Sequence, residues 1–123
     1  MSKLTEAQER WMTALESGEY KQTRSRLRDA NGFCCLGVAC DVSGLGEWRK
    51  LSGLDKFEFR TSYGARADLG LPFSVREQLG ISHDDNRADR LVELNDHEGK
   101  TFAEIAKWIR ENADEVFTQG DDK

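Results

Sequence analysis

Four cations fall within eight residues: Lys21, Arg24, Arg26 and Arg28, with no acid between the first and the last. Arg24, Arg26 and Arg28 alternate with Ser25 and Leu27. A period of two is the repeat of a β-strand, which would set three guanidinium groups on one face. A guanidinium offers a planar fork of N–H donors that matches phosphate oxygens. The chemistry this predicts is anion binding: a nucleotide, a cyclic oligonucleotide or a nucleic-acid backbone. The competing expectation is internal. Residues 82–123 hold twelve acids and six bases, whereas residues 1–81 hold eleven acids and twelve bases. The same arginines could therefore pair with the acidic half and hold the fold or a dimer together.

The other reactive residues are less well arranged. Cys34 and Cys35 are adjacent, so their side chains diverge, and Cys40 is six and five residues further on. None of these is the C-x-x-C spacing that closes around zinc. A nucleophilic cysteine would need a base, and His83 and His97, the two histidines of the chain, both sit in polar stretches away from the cysteines. Cysteines in an apolar run are expected to be small core residues. Ser82-His83-Asp84-Asp85 and Asn95-Asp96-His97-Glu98 offer nitrogen and oxygen donors without a metal-site spacing, and such stretches read as helix caps and turns. Asn95-Asp96 closes a short helix as a turn, or, if buried, orients a ligand. Trp48, Phe57, Phe59 and Tyr63 read as core; exposed beside the cations, they would stack on bases. No residue is singled out as catalytic or metal-ligating, and nothing calls for a cofactor.

Positioning these groups requires a scaffold of modest size. The chain has 123 residues, of which 37% are hydrophobic and 33% charged, a balance that implies a thin core under a highly charged surface. Aromatic and branched residues recur regularly, which argues against disorder. The expected organisation is one compact domain over residues 1–117 with a frayed tail at 118–123. The N-terminus lacks the apolar run of a secretion signal, and no stretch approaches the ~18 apolar residues of a membrane span. With a net charge of −5, general nucleic-acid binding is not favoured. An odd number of cysteines is expected to stay reduced, as in a cytosol.

The pattern predicts an α+β fold, mostly short helices around a buried central apolar segment with a small sheet or hairpin. Leu4 to Ser17 reads as a helix with Leu4, Trp11 and Leu15 on one face, stopped by Gly18. Arg24 to Asp29 reads as a strand before an Asn31-Gly32 turn. Phe33 to Val42 reads as a buried helix in which Gly37 and Ala39 allow a neighbour to approach closely; a buried strand is the alternative. Residues 43–70 read as loop apart from a strand at Phe57–Arg60, which would share the sheet with Arg24–Asp29. Leu71-Pro72 opens a helix that Gly80 ends. Asn86 to Leu94 is a short helix followed by a polar turn at Asn95 to Gly99. Thr101 and Glu104 form a capping box for a helix carrying Phe102, Ile105, Ile109, Ala113 and Val116.

Several of these features occur together in a group of small proteins of bacteriophages and prophages. They are Trp11 with Ser17-Gly18-Glu19-Tyr20, Leu27-Arg28, Asn31-Gly32, Phe33-Cys34-Cys35-Leu36-Gly37-Val38 with Cys40-Asp41, Leu71-Pro72, Leu79-Gly80, Leu94-Asn95-Asp96, and Phe102 with Glu104-Ile105-Ala106 and Ile109. The chain resembles that group outside residues 43–68, and Phe-Cys-Cys-Leu-Gly-Val is the most specific string. The resemblance implies a phage accessory protein in the bacterial cytoplasm, with no activity attached. The expected role is non-enzymatic: binding a host protein or an anionic, nucleotide-like ligand through Lys21, Arg24, Arg26, Arg28, Asn95 and Asp96. A homodimer would be a natural way to build such a site. A small cysteine/histidine enzyme and a purely structural or oligomeric protein are the alternatives.

Overall fold

The first helix, α1 (Glu6–Glu16), is fixed at its start by a capping box. Thr5 Oγ1 accepts from the Gln8 N–H at 3.1 Å and Gln8 Oε1 accepts from the Thr5 N–H at 2.9 Å, which satisfies two of the donors a helix start leaves open. Trp11, Met12 and Leu15 are buried on its inner face. Two polar contacts set its position. Trp11 Nε1 donates to the Cys35 carbonyl at 3.0 Å, and Gln8 Nε2 to the Leu79 carbonyl at 2.6 Å. The computed structural model describes residues 4–51, 57–62, 64, 66–67, 71–81 and 87–117. Tyr63, the Ser82-His83-Asp84-Asp85 cluster, Asn86 and the tail at 118–123 lie outside them.

After α1 the chain makes a two-stranded antiparallel hairpin, β1 (Arg28–Asp29) and β2 (Gly32–Phe33), with Arg28 opposite Phe33. Asp29 Oδ1 accepts from the N–H groups of Asn31 and Gly32, a side-chain mimic of a backbone turn. The apolar segment follows as helix α2 (Cys35–Ser43), which Gly44 ends in the left-handed conformation. The helical reading of this run is therefore right. Its start falls at Cys35 because Gly32 and Phe33 are taken by the hairpin. Gly37 lies against the Leu27 backbone, where an added Cβ would sit 1.9 Å from the carbonyl oxygen.

A second antiparallel sheet runs β3 (Gly46–Lys50), β4 (Phe57–Thr61) and β5 (Arg66–Ala67), with Trp48 opposite Phe59. The Phe57 strand is as expected. Its partner is β3, in a stretch read as loop, and the expected pairing with Arg24–Asp29 in one sheet does not occur. Pro72 precedes α3 (Phe73–Leu79), and Gly80 closes it at φ 79°. Next, α4 (Arg87–Val92) runs on into a single π-helical turn, Glu93–His97, where a polar turn was expected. The Thr101–Glu104 capping box opens α5 (Phe102–Glu111), and α6 (Ala113–Val116) follows.

The architecture is a small α+β fold: six α-helices, the π-turn and two antiparallel sheets among the described residues. The buried apolar side chains form one cluster drawn from α1, α2, α3, α4, α5, α6 and β4. Arg110 on α5 forks across to α1, reaching Glu16 at 2.7 Å and Glu9 at 3.1 Å. No helix among the described residues is long and apolar enough to cross a membrane.

Candidate functional site

The basic segment does not fold as the strand its alternation predicts. Only Arg28 and Asp29 are strand, and the chain from Arg24 to Leu27 is a bend with Ser25 at φ 75°. The bend lies between two buried side chains and is tied to the hairpin. Thr23 and Leu27, four residues apart, are both buried, and Thr23 Oγ1 donates to Asp29 Oδ2 at 2.7 Å. An uninterrupted strand would put Thr23, Ser25 and Leu27 on the same face. The left-handed Ser25 breaks that repeat, so the three guanidiniums separate. Arg24 lies beside Gly99, Arg26 lines a cleft, and Arg28 stacks over aromatic rings on the hairpin side. Lys21 is exposed. Among the described residues no carboxylate pairs with any of the four; the ion pairs are Arg60–Glu58, Arg90–Glu93 and Glu98, Lys107–Glu111, and Arg110–Glu9 and Glu16.

The cleft has a volume of about 130 Å³. It lies between the 24–27 bend, the N-terminus of α2 and the π-turn, and its walls include Arg26, Cys34, Leu36, Asn95 and Asp96. Two of the expected site residues thus join one of the four cations. Asn95 is fully buried, and its amide is engaged on all sides. Its Oδ1 accepts from Gln22 Nε2 at 2.8 Å and the Cys35 N–H at 3.2 Å; its Nδ2 donates to the Thr23 carbonyl and to Asp96 Oδ1, both at 2.8 Å. Its capacity is filled, so Asn95 shapes the cleft wall and leaves no group to reach a ligand. The π-turn makes this possible by carrying Asn95 inward; such turns recur at functional sites.

Cys34 is the N-cap of α2, a position that normally lowers a thiol's pKa. Here burial outweighs the N–H groups of Gly37 and Leu36 and pushes the thiol up to about 11. Burial also raises Cys35 and Cys40 well above their ordinary value. Four units above neutral pH, Cys34 is thiolate in about one molecule in ten thousand, the opposite of an activated nucleophile. His97 is exposed on the π-turn and His83 is outside the described residues. Among the described residues no three His, Cys, Asp or Glu side chains are grouped to hold a metal ion.

A second cluster gathers around Arg28. Its guanidinium carbon lies 4.8, 5.5 and 4.3 Å from the ring centres of Phe33, Trp48 and Phe57. Tyr20, Phe33, Trp48 and Phe59 make a chain of edge-to-face contacts at 5.0–5.7 Å. Asp41 braces it, with Oδ2 accepting from the Tyr20 hydroxyl at 2.5 Å and Oδ1 from Trp48 Nε1 at 3.0 Å. Burial, then the bond to Asp41, raise the Tyr20 hydroxyl to about 12. Sequence reasoning put Trp48 and Phe57 in the core; both are only half-buried, and Phe59 alone of the three is fully inside. The missed signal is the alternation Glu47-Trp48-Arg49, which pairs antiparallel with Arg60-Phe59-Glu58.

Residues 3–113, which include every residue of both clusters, match the family model described as a domain of unknown function, DUF8296. The chain belongs to this family. DUF8296 carries no assigned activity in its description, so the family match leaves the role to be argued from the site. No curated protein and no solved structure matches the chain.

Proposed function

We propose that this protein is a non-enzymatic binding protein, a bacteriophage accessory factor acting in the bacterial cytoplasm, and that it takes an anionic group in the cleft beside Arg26. The phage setting rests on the sequence resemblance alone. The anion reading rests on one observation: Arg26 lines a cleft at a helix N-terminus and has no carboxylate partner among the described residues. The helix end contributes roughly half a positive charge. Together with Arg26 it exceeds the single negative charge of Asp96, so the cleft stays weakly positive. Its 130 Å³ is well under the ~300–1,000 Å³ of a pocket that engulfs a small molecule. The geometry therefore favours one phosphate- or carboxylate-sized group, carried by a nucleotide-like ligand or a host protein, with the rest of the partner outside.

A thermal-shift titration with inorganic phosphate, mononucleotides and cyclic oligonucleotides, at low and moderate salt, tests this. Ligand at 100 times its Kd adds about 2.7 kcal/mol, which raises Tm by several degrees. The expected shift shrinks with salt and is absent in Arg26→Glu, with circular dichroism showing the variant folded. A shift that Arg26→Glu leaves unchanged, or none with any of these anions, removes the cleft as the site.

A further inference from the structure

We infer that the Arg28 platform is a docking surface for an acidic, apolar-flanked segment of a partner protein. Arg28 is half-buried, with its guanidinium carbon over the rings of Phe33, Trp48 and Phe57, and it is bonded to no oxygen among the described residues. The nearby carboxylate of Asp41 has both its oxygens occupied by Tyr20 and Trp48. Contact with the rings holds the guanidinium without using its N–H fork, and cation–π attraction is weaker than the charge-assisted hydrogen bonds the fork would make. The group is thus held against the rings and its donors are left open. A carboxylate is the planar, two-oxygen group that fits them.

The surroundings favour a protein over a nucleic acid. Trp, Tyr and Arg are the residue types that dominate the energetic centres of protein interfaces. Trp48, Tyr20, Phe33 and Phe57 are each half-buried around Arg28, and would meet an apolar side chain next to the carboxylate. Base stacking needs free ring faces. The faces of Phe33, Trp48 and Phe57 under Arg28 are already covered, and the chain is acidic overall. This surface and the Arg26 cleft are separate, and they fail separately: phosphate binding that depends on Arg26 says nothing about Arg28.

The test is fluorescence anisotropy with a short labelled peptide of alternating Glu and Leu, alongside the same peptide with Gln for Glu. Nitrogen-15 spectra follow the Trp48 indole N–H and the Arg28 Nε–H. The Glu peptide is expected to bind and to move both signals, and the Gln peptide to bind at least about tenfold more weakly. Arg28→Lys, which keeps the charge and loses the planar fork, is expected to weaken binding by a similar factor. Three results overturn the inference: no binding of the Glu peptide at millimolar concentration, equal binding by Arg28→Lys, or displacement of the Trp48 signal by oligo-dT in preference to the peptide.

Discussion

Asn95 is the residue on which the site depends most, because it is polar, fully buried and bonded on every side. Replacing it with Leu would leave the Cys35 N–H and the Thr23 carbonyl inside without partners. Each orphaned group costs about 1–3 kcal/mol, so Asn95→Leu is expected to lose about 2–6 kcal/mol in urea denaturation. A loss under about 0.5 kcal/mol would mean that water reaches these groups. The sequence shows Asn95-Asp96 as a turn or a ligand contact and stops there. Its deciding partners, Thr23 and Cys35, are 72 and 60 residues away, and no local pattern connects residues so distant. Arg24, Arg26 and Arg28 are a similar case. Their alternation is real, but the left-handed Ser25 breaks the strand between Thr23 and Leu27, and each guanidinium goes to a different place.

At the scale of elements, α2 holds the bend, the cleft and the hairpin together, and Gly37 is where it meets the bend. A Cβ there would overlap the Leu27 carbonyl at 1.9 Å, and that carbonyl also accepts from the Cys34 N–H at 3.0 Å. Gly37→Ala, although it raises helix propensity by about 1 kcal/mol, is expected to cost at least about 2 kcal/mol net, because the backbone contact must open. A variant as stable as the parent in thermal melts would contradict the packing described. The helix stop at Gly80 and the Thr101 capping box are legible from the sequence, since each rests on chemistry within a few residues; at Gly37 the sequence shows room for a close approach but not that the neighbour is Leu27. The β3 strand is not. Gly46–Lys50 has one apolar residue, Trp48, and becomes a strand only because Phe57–Thr61 pairs along it.

For the molecule as a whole, the buried thiols and Tyr20 make stability depend on alkaline pH. The Cys34 thiol ionises near 9 when exposed and at about 11 when folded, so the folded state holds its proton longer. Its contribution is complete below pH 9 and is lost as pH rises toward 11; two units correspond to about 2–3 kcal/mol. Cys35 and Cys40 act in the same direction, and Tyr20 adds a loss between 10 and about 12. Unfolding free energy is therefore expected to fall steeply above pH 9, and less steeply in Cys34→Ala. An identical slope in the variant would show that Cys34 is not shielded as described. The Arg110 fork has a consequence during synthesis. It joins Glu9 to a residue 101 positions later, and Trp11 meets Phe117, at the far end of α6, edge to face. At roughly 5–20 residues per second, the ribosome makes the first helix about 5–20 seconds before its last partners. For that interval Trp11, Met12 and Leu15 lack part of their cover, and a cell's chaperones and proteases have their best opportunity to engage this chain.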